Sequence, residues 1–138
     1  REMRLDYTLT MPGLLELKNM FDLSQELNVE LLTKVMFTFS PTEVLSPLAL
    51  PRELLGTLID EALEYMEPKV TRKQQSLIDT LKNLKNRENL NDMFLGFDVV
   101  VGKKKGKERQ QKIDKIRGQN ITKILSRDKR ILEWWTSI

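Results

Sequence analysis

Apolar and polar residues alternate near the start of the chain, which predicts a β-strand. Leu5, Tyr7 and Leu9 fall on one face of the segment MRLDYTLTM, and polar residues fall on the other. Pro12 and Gly13 then interrupt the alternation. Leucines and other apolar residues follow at helical spacing up to about residue 28. The first segment therefore predicts a strand, a turn and a helix.

The same order of elements is predicted a second time. Residues 33–40, TKVMFTFS, form the second predicted strand, with Val35, Phe37 and Phe39 on one face. A proline-containing loop leads to a helix that starts at Pro51 and ends before the next proline. Two consecutive β/α units predict parallel strands with helices on one face, so the fold class is α/β.

The remainder of the chain is predicted to be mainly helical. A Thr-x-x-Gln capping box at residues 71–74 precedes a third helix. The segment GKKKG, residues 102–106, is predicted to be a solvent-exposed turn before a basic helix that ends at Gly118. A parallel sheet needs neighbours on both sides. A further strand is therefore expected, either at residues 97–101 or from a piece outside this sequence.

The 138 residues include no cysteine and no histidine. Disulfides, thiolate metal sites, a Cys-ligated iron–sulfur cluster and Ser-His or Cys-His catalysis are thereby excluded within this chain. Carboxylates, lysines and tyrosines remain as acid–base groups, which makes a self-contained enzyme less expected. No apolar run approaches membrane-spanning length and no targeting segment is recognisable. We therefore expect a cytoplasmic protein without a membrane partner.

Positive charge is concentrated near the C-terminal end. Residues 103–130 hold twelve Lys and Arg against three Asp and Glu, although the net charge of the whole chain is only +3. This segment could contact nucleic acid or an acidic protein, could be a solvated helix face, or could pack against the acidic residues 1–102. Trp134 and Trp135, beyond the basic run, are expected to dock the last helix onto the core, with a partner contact as the alternative. The candidate contact residues are Lys103, Lys104, Lys105, Lys112, Lys115 and Arg117.

Small polar residues line the predicted strand faces opposite the helices. In β/α folds, ligands bind at the C-terminal ends of the strands. A polar face at those ends favours a ligand space, although a solvent-facing sheet would show the same alternation. The candidate residues are Thr8, Thr10, Thr38 and Ser40.

Three segments taken in order resemble the C-terminal half of twitch-type radical SAM proteins. They are DYTLTMPGLLEL, FTFSPTEVLSPLALPRELL and KIDKIRGQNITKIL, the last with a pattern, at Asp114, Arg117, Gly118 and Asn120, similar to family members of phage and marine bacterial origin. The resemblance implies two consecutive β/α units of a partial (β/α)6 barrel in residues 1–68. A mainly helical, basic C-terminal extension would follow in residues 69–138.

The resemblance also implies a function. The chain would be the C-terminal portion of a radical SAM-like enzyme and would form a wall of the cavity for S-adenosylmethionine and substrate. The Cx3Cx2C motif for a [4Fe–4S] cluster is absent, so catalysis would need a cluster-binding half upstream or in a separate chain. The chain begins with Arg, which is consistent with a fragment. The hydroxyls of Thr8, Thr10, Thr38 and Ser40 would hydrogen-bond S-adenosylmethionine or substrate.

The alternative function is non-catalytic. A binding or assembly module would use the basic C-terminal helix to contact nucleic acid or an acidic protein partner. The sequence leaves this choice open, because the resemblance depends on short segments and the basic run lacks the interleaved aromatic residues typical of RNA-binding surfaces.

Overall fold

A computed structural model of the chain describes residues 3–36, 44–87 and 98–138. Helices account for 71% of these residues, and two short parallel strands form a small sheet. The predicted α/β fold with a partial (β/α)6 barrel is therefore wrong. The described part of the chain is mostly helical, with one β-α-β unit near its start. None of the helices in these ranges is both long and apolar enough to cross a membrane.

The strands and helices of the described ranges have the following bounds. Strand β1 comprises Arg4–Leu9 and strand β2 comprises Glu30–Val35. The α-helices are α1 Leu17–Leu27, α2 Arg52–Met66, α3 Gln75–Lys85, α4 Val99–Arg117, α5 Ile121–Leu125 and α6 Lys129–Ser137. Short 3₁₀ turns lie at Pro12–Glu16, Pro47–Ala49, Glu67–Lys69 and Arg72–Gln74.

The first strand–turn–helix prediction is confirmed, and the second strand lies earlier than predicted. β1 pairs in parallel with β2, so that Arg4 faces Glu30 and Leu9 faces Val35. α1 ends at Asn28, whose left-handed φ of 55° turns the chain into β2. The strand predicted at residues 33–40 thus begins three residues sooner, and its second half lies outside the described residues.

A single hydrophobic core joins the sheet to the helices. α2 packs against α1 and α3, and α3 covers β2. The capping box predicted at residues 71–74 is present, with the Gln74 side chain 1% exposed. Trp134 and Trp135 are buried in this core, which confirms that the last helix docks through its two indoles. The fully buried core residues include one each from β1, α1, α2, α3 and α6, namely Leu9, Phe21, Ile59, Leu77 and Ile131.

Helix α4 is longer than the sequence predicts. The GKKKG segment lies inside the helix and is not a turn, and residues 99–101 are helical and not a strand. Asp98 supplies the start, because its side chain accepts a hydrogen bond from the backbone N–H of Val101 at 3.1 Å. Gly102 and Gly106 are buried, as is Lys103 between them. Gly118 ends α4 with φ 66°, as predicted.

Candidate functional site

The solvent-exposed side of α4 carries a band of positive charge. Its members share one side of the helix because they are separated by three, four, seven or eight residues along most of its length. The band extends about 16 Å along the helix axis, at about 1.5 Å per residue. Glu108 is the single acidic residue within it. We call this surface the cationic face, and it consists of Lys104, Lys105, Arg109, Lys112 and Lys115.

The cationic face carries an excess of positive charge in the part of the chain that the structure describes. Among those residues its five cations form no ion pair, whereas cations on other helices do. On α3, Lys82 lies 3.2 Å from Glu67 and Lys85 lies 2.7 Å from Asp60. Among the described residues, the alternative that the basic end packs against the acidic body is thus not supported by an ion pair at any of these five side chains. They create a positive potential directed at solvent.

The six contact residues predicted from the sequence do not all lie on this surface. Four of them belong to the cationic face, and Arg117 is exposed at the last position of α4. Lys103 is only 8% exposed, on the buried side of the helix, and this burial lowers the pKa of its ammonium group. Arg109 was missed, although its spacing of four residues from Lys105 and three from Lys112 was visible in the sequence.

The buried side of α4 is held against the last helix. Lys107 donates a hydrogen bond from Nζ to the backbone carbonyl of Ile138 at 3.2 Å. The same ammonium lies 5.9 Å from the ring centroid of Trp135, within the range of a cation–π contact. Lys107 is half-buried, and these two contacts connect α4 to the last helix.

The last helix is in turn fixed to α2 by a cluster of charges. The Arg130 guanidinium donates to both carboxylate oxygens of Glu61, at 2.7 and 2.8 Å, and to Asp128 at 2.8 Å. These hydrogen bonds lower the pKa of Glu61 and of Asp128 below their ordinary values. Arg127 pairs with Glu16 in the same region. These paired side chains join α6 to α2 and to the turn before α1.

The residues that carried the family resemblance in the C-terminal segment form a helix corner. Asp114 accepts hydrogen bonds from Gln110 Nε2 at 2.9 Å and from the backbone N–H of Ile121 at 2.9 Å. Asn120 caps α5 by accepting from the N–H two residues later, at 3.0 Å. Gly118, with a left-handed backbone, lies between Asp114 and Asn120. The Asp-x-x-Arg-Gly-x-Asn pattern therefore corresponds to the hydrogen-bonded turn that joins α4 to α5.

A cleft of about 630 Å³ lies beside this corner. Its lining includes Pro12, three residues beyond the end of β1, together with Ile121 and Ile124 of α5 and the polar side chains of Gln110 and Asn120. The sequence predicted a ligand space at the strand ends, but neither Thr8 nor Thr10 lines this cleft. The lining of the cleft is more apolar than polar. Its buried acid is Asp114, whose two carboxylate oxygens already accept the hydrogen bonds described above.

The hydroxyls predicted to bind a cofactor lie in different surroundings. Thr10 accepts a hydrogen bond from the backbone N–H of Gly13 at 3.0 Å and so closes the turn after β1. The Tyr7 hydroxyl donates to the carbonyl of Gly13, and its partial burial raises its pKa to about 12. Thr8 is exposed on the open side of the sheet, in a depression of about 290 Å³. Thr38 and Ser40 lie outside the described residues.

Comparisons with family models, curated proteins and solved structures gave no match. The chain has no cysteine, and its described residues contain no group of three or more Asp, Glu, His or Cys that could hold a metal ion. These residues therefore do not fit the [4Fe–4S] cluster that the resemblance implies. Binding of S-adenosylmethionine through the predicted hydroxyls stays a prediction, and no reaction step is derived from it.

Proposed function

We propose that this protein is a binding module whose cationic face contacts the phosphate backbone of double-stranded nucleic acid. The observation that supports this function is the band of five exposed cations on α4, which contains the single acid Glu108 and forms no ion pair with any described acid. Four of the five are lysines, which contact phosphate as point charges, and phosphate contacts carry no sequence information. The expected binding is therefore independent of nucleotide sequence, and it would take place in the cytoplasm.

The surroundings of the cationic face favour a duplex over a single strand. Proteins that bind single strands stack bases on exposed aromatic rings. The two indoles of the described region are buried, with Trp134 9% and Trp135 1% exposed. The exposed apolar residues on α4 are aliphatic, namely Val100, Val101 and Ile116. Charge without stacking matches a partner that presents phosphates on its outside and keeps its bases paired.

A salt titration with a labelled duplex of about 20 base pairs tests this function. The logarithm of affinity should fall linearly with the logarithm of salt concentration, with a slope of about −0.9 per phosphate contacted. Three to five contacts from the cationic face would give a slope of about −3 to −4.5. A single strand of equal length should bind more weakly, because no aromatic platform is exposed among the described residues.

A pair of matched variants separates the cationic face from net charge. Lys105→Gln, Lys112→Gln and Lys115→Gln together should reduce the magnitude of the salt slope by about 3 and weaken binding at least about tenfold. The control replaces three exposed lysines elsewhere with glutamine and changes the net charge equally; these are Lys82, Lys85 and Lys129.

Two results would contradict the proposal. Equal weakening by both triple variants would mean that only net charge matters. Binding to polyglutamate as tight as to the duplex would identify an acidic protein as the partner, since a carboxylate-rich chain offers no phosphate.

A further inference from the structure

Strand β1 has one paired edge and one open edge. The carbonyl of Leu9 accepts a hydrogen bond from the N–H of Met36 at 2.9 Å, so Leu9 presents its backbone groups to β2. Backbone groups alternate in direction along a strand, so those of Asp6 and Thr8 point away from β2. Within the described residues, no hydrogen bond reaches them on that side.

The open edge is also exposed at its side chains. The side chains of Arg4 and Asp6, which lie 3.4 Å apart as an ion pair within the chain, are 59% and 70% exposed, and Thr8 next along the strand is exposed as well. Unpaired edges of this length are templates for a further strand unless Pro, a bulge or repelling charge protects them. β1 contains no Pro, and its two charges have opposite signs. It is therefore suited to strand addition.

We propose that the occupant of this edge is β1 of a second copy of the chain, paired antiparallel about a two-fold axis at Leu5. In this register Arg4 of each copy lies opposite Asp6 of the other. The resulting continuous sheet has the strand order β2–β1–β1–β2. This interaction does not depend on nucleic-acid binding.

Charge selects this register from its neighbours. Sliding one strand past the other by two residues brings outward backbone groups together again and moves the two-fold axis by one residue. The alternative registers therefore include axes at Asp6 and at Tyr7. An axis at Asp6 would place two carboxylates directly opposite each other, which is destabilising. An axis at Tyr7 would place Asp6 opposite Thr8 and would form no opposite-charge pair. The axis at Leu5 forms two Arg–Asp pairs at positions whose backbones also exchange N–H···O bonds.

Sedimentation velocity between about 1 and 100 µM tests the pairing by a charge swap. The wild-type chain should dimerise, and either Arg4→Asp or Asp6→Arg alone should weaken the dimer at least about tenfold, since each creates like-charge pairs across the axis. The double variant Arg4→Asp/Asp6→Arg should restore dimerisation, because the pairs re-form with reversed sign. Lys129→Asp, an equal charge change on a side chain of α6 that is 87% exposed, is the control.

Disulfide trapping tests the register itself in a chain that has no other cysteine. Leu5 lies opposite its own copy at a pair whose Cα atoms are about 4.5 Å apart, within reach of a disulfide. Leu5→Cys should therefore give a covalent dimer on mild oxidation. Thr8→Cys should not, because in this register the two copies of residue 8 lie about 20 Å apart.

Three outcomes would overturn the proposal. They are a wild-type chain that stays monomeric over the whole concentration range, a double charge swap that fails to restore the dimer, and equal cross-linking by the two cysteine variants. Intrinsic tryptophan fluorescence of each variant reports whether the buried indoles keep their environment, so a folding defect is distinguished from lost pairing.

Discussion

Replacing Gly13 by alanine should destabilise the protein because the turn after β1 has no space for a β-carbon. That atom would lie 2.8 Å from the Tyr7 hydroxyl oxygen and 3.0 Å from Oγ1 of Thr10. Both oxygens are held in place, since they hydrogen-bond to the backbone of Gly13 itself. Overpacking of this kind costs about 1–3 kcal/mol.

The backbone of Gly13 does not by itself require glycine, which makes the prediction specific to side-chain crowding. Positive φ among the described glycines is found at Gly118 and not at Gly13. In the Tyr7→Phe background the closest atom is removed, and the ring carbon that bore the hydroxyl lies at 3.5 Å, an ordinary contact. Alanine also restricts the unfolded chain, which is worth about 0.4–1 kcal/mol. The contact of the added β-carbon with Thr10 Oγ1 at 3.0 Å remains in this background, so Gly13→Ala should still be costly there but less so than in the wild type, and the coupling free energy between the two sites should be about 1–2 kcal/mol.

Urea unfolding of the four proteins in this double-mutant cycle, followed by fluorescence of the buried indoles, measures the coupling. Gly56→Ala is the matched control, because no atom lies within 4 Å of its added β-carbon. Gly56 is inside α2, so this change should stabilise the protein by up to about 1 kcal/mol. An equal cost of Gly13→Ala with and without the Tyr7 hydroxyl would refute the crowding argument.

Two further predictions concern groups inside the fold. Gln74→Leu should cost about 2–3 kcal/mol in urea unfolding, because Ser24 and Thr71 lose their buried partner, while Gln75→Leu on the exposed side should cost under about 0.5 kcal/mol. Tyr7 has a pKa of about 12 in the folded protein against about 10 in the unfolded chain. Its contribution to the free energy of unfolding is therefore complete below pH 10 and is lost as the pH rises towards 12. In a plot of the free energy of unfolding against pH, Tyr7→Phe should reduce the loss of stability above pH 10. An unchanged loss would contradict its assignment to the Tyr7 hydroxyl.

Local signals predicted the elements whose formation depends on nearby residues. The alternation of Leu5, Tyr7 and Leu9, the capping box at residues 71–74 and the stop at Gly118 all appear in the structure. Each depends on backbone conformation and hydrogen bonds within a few positions of the chain. Periodicity and capping rules describe such interactions directly.

Helix α4 shows where local rules fail. Gly102 and Gly106 with three lysines between them are typical of an exposed turn, and glycine is unfavourable inside a helix. The glycines are nevertheless buried in α4, and Lys103 is buried beside them. Close packing of one helix side against the rest of the protein outweighs the low propensity, and no window of sequence contains the atoms on the other side of that contact.

The sequence by itself determined the β1–turn–α1 order, the basic character of the C-terminal end and the absence of thiol and imidazole chemistry, since these follow from composition and short-range spacing. The tertiary structure decided that two β/α-like segments form one small parallel sheet and not a barrel, because strand pairing joins residues distant in the chain. It also decided which cations face solvent. The sequence of a basic segment does not show which of its side chains face solvent. Packing buries Lys103 and leaves exposed, on the open side of α4, Lys104, Lys105, Arg109, Lys112 and Lys115.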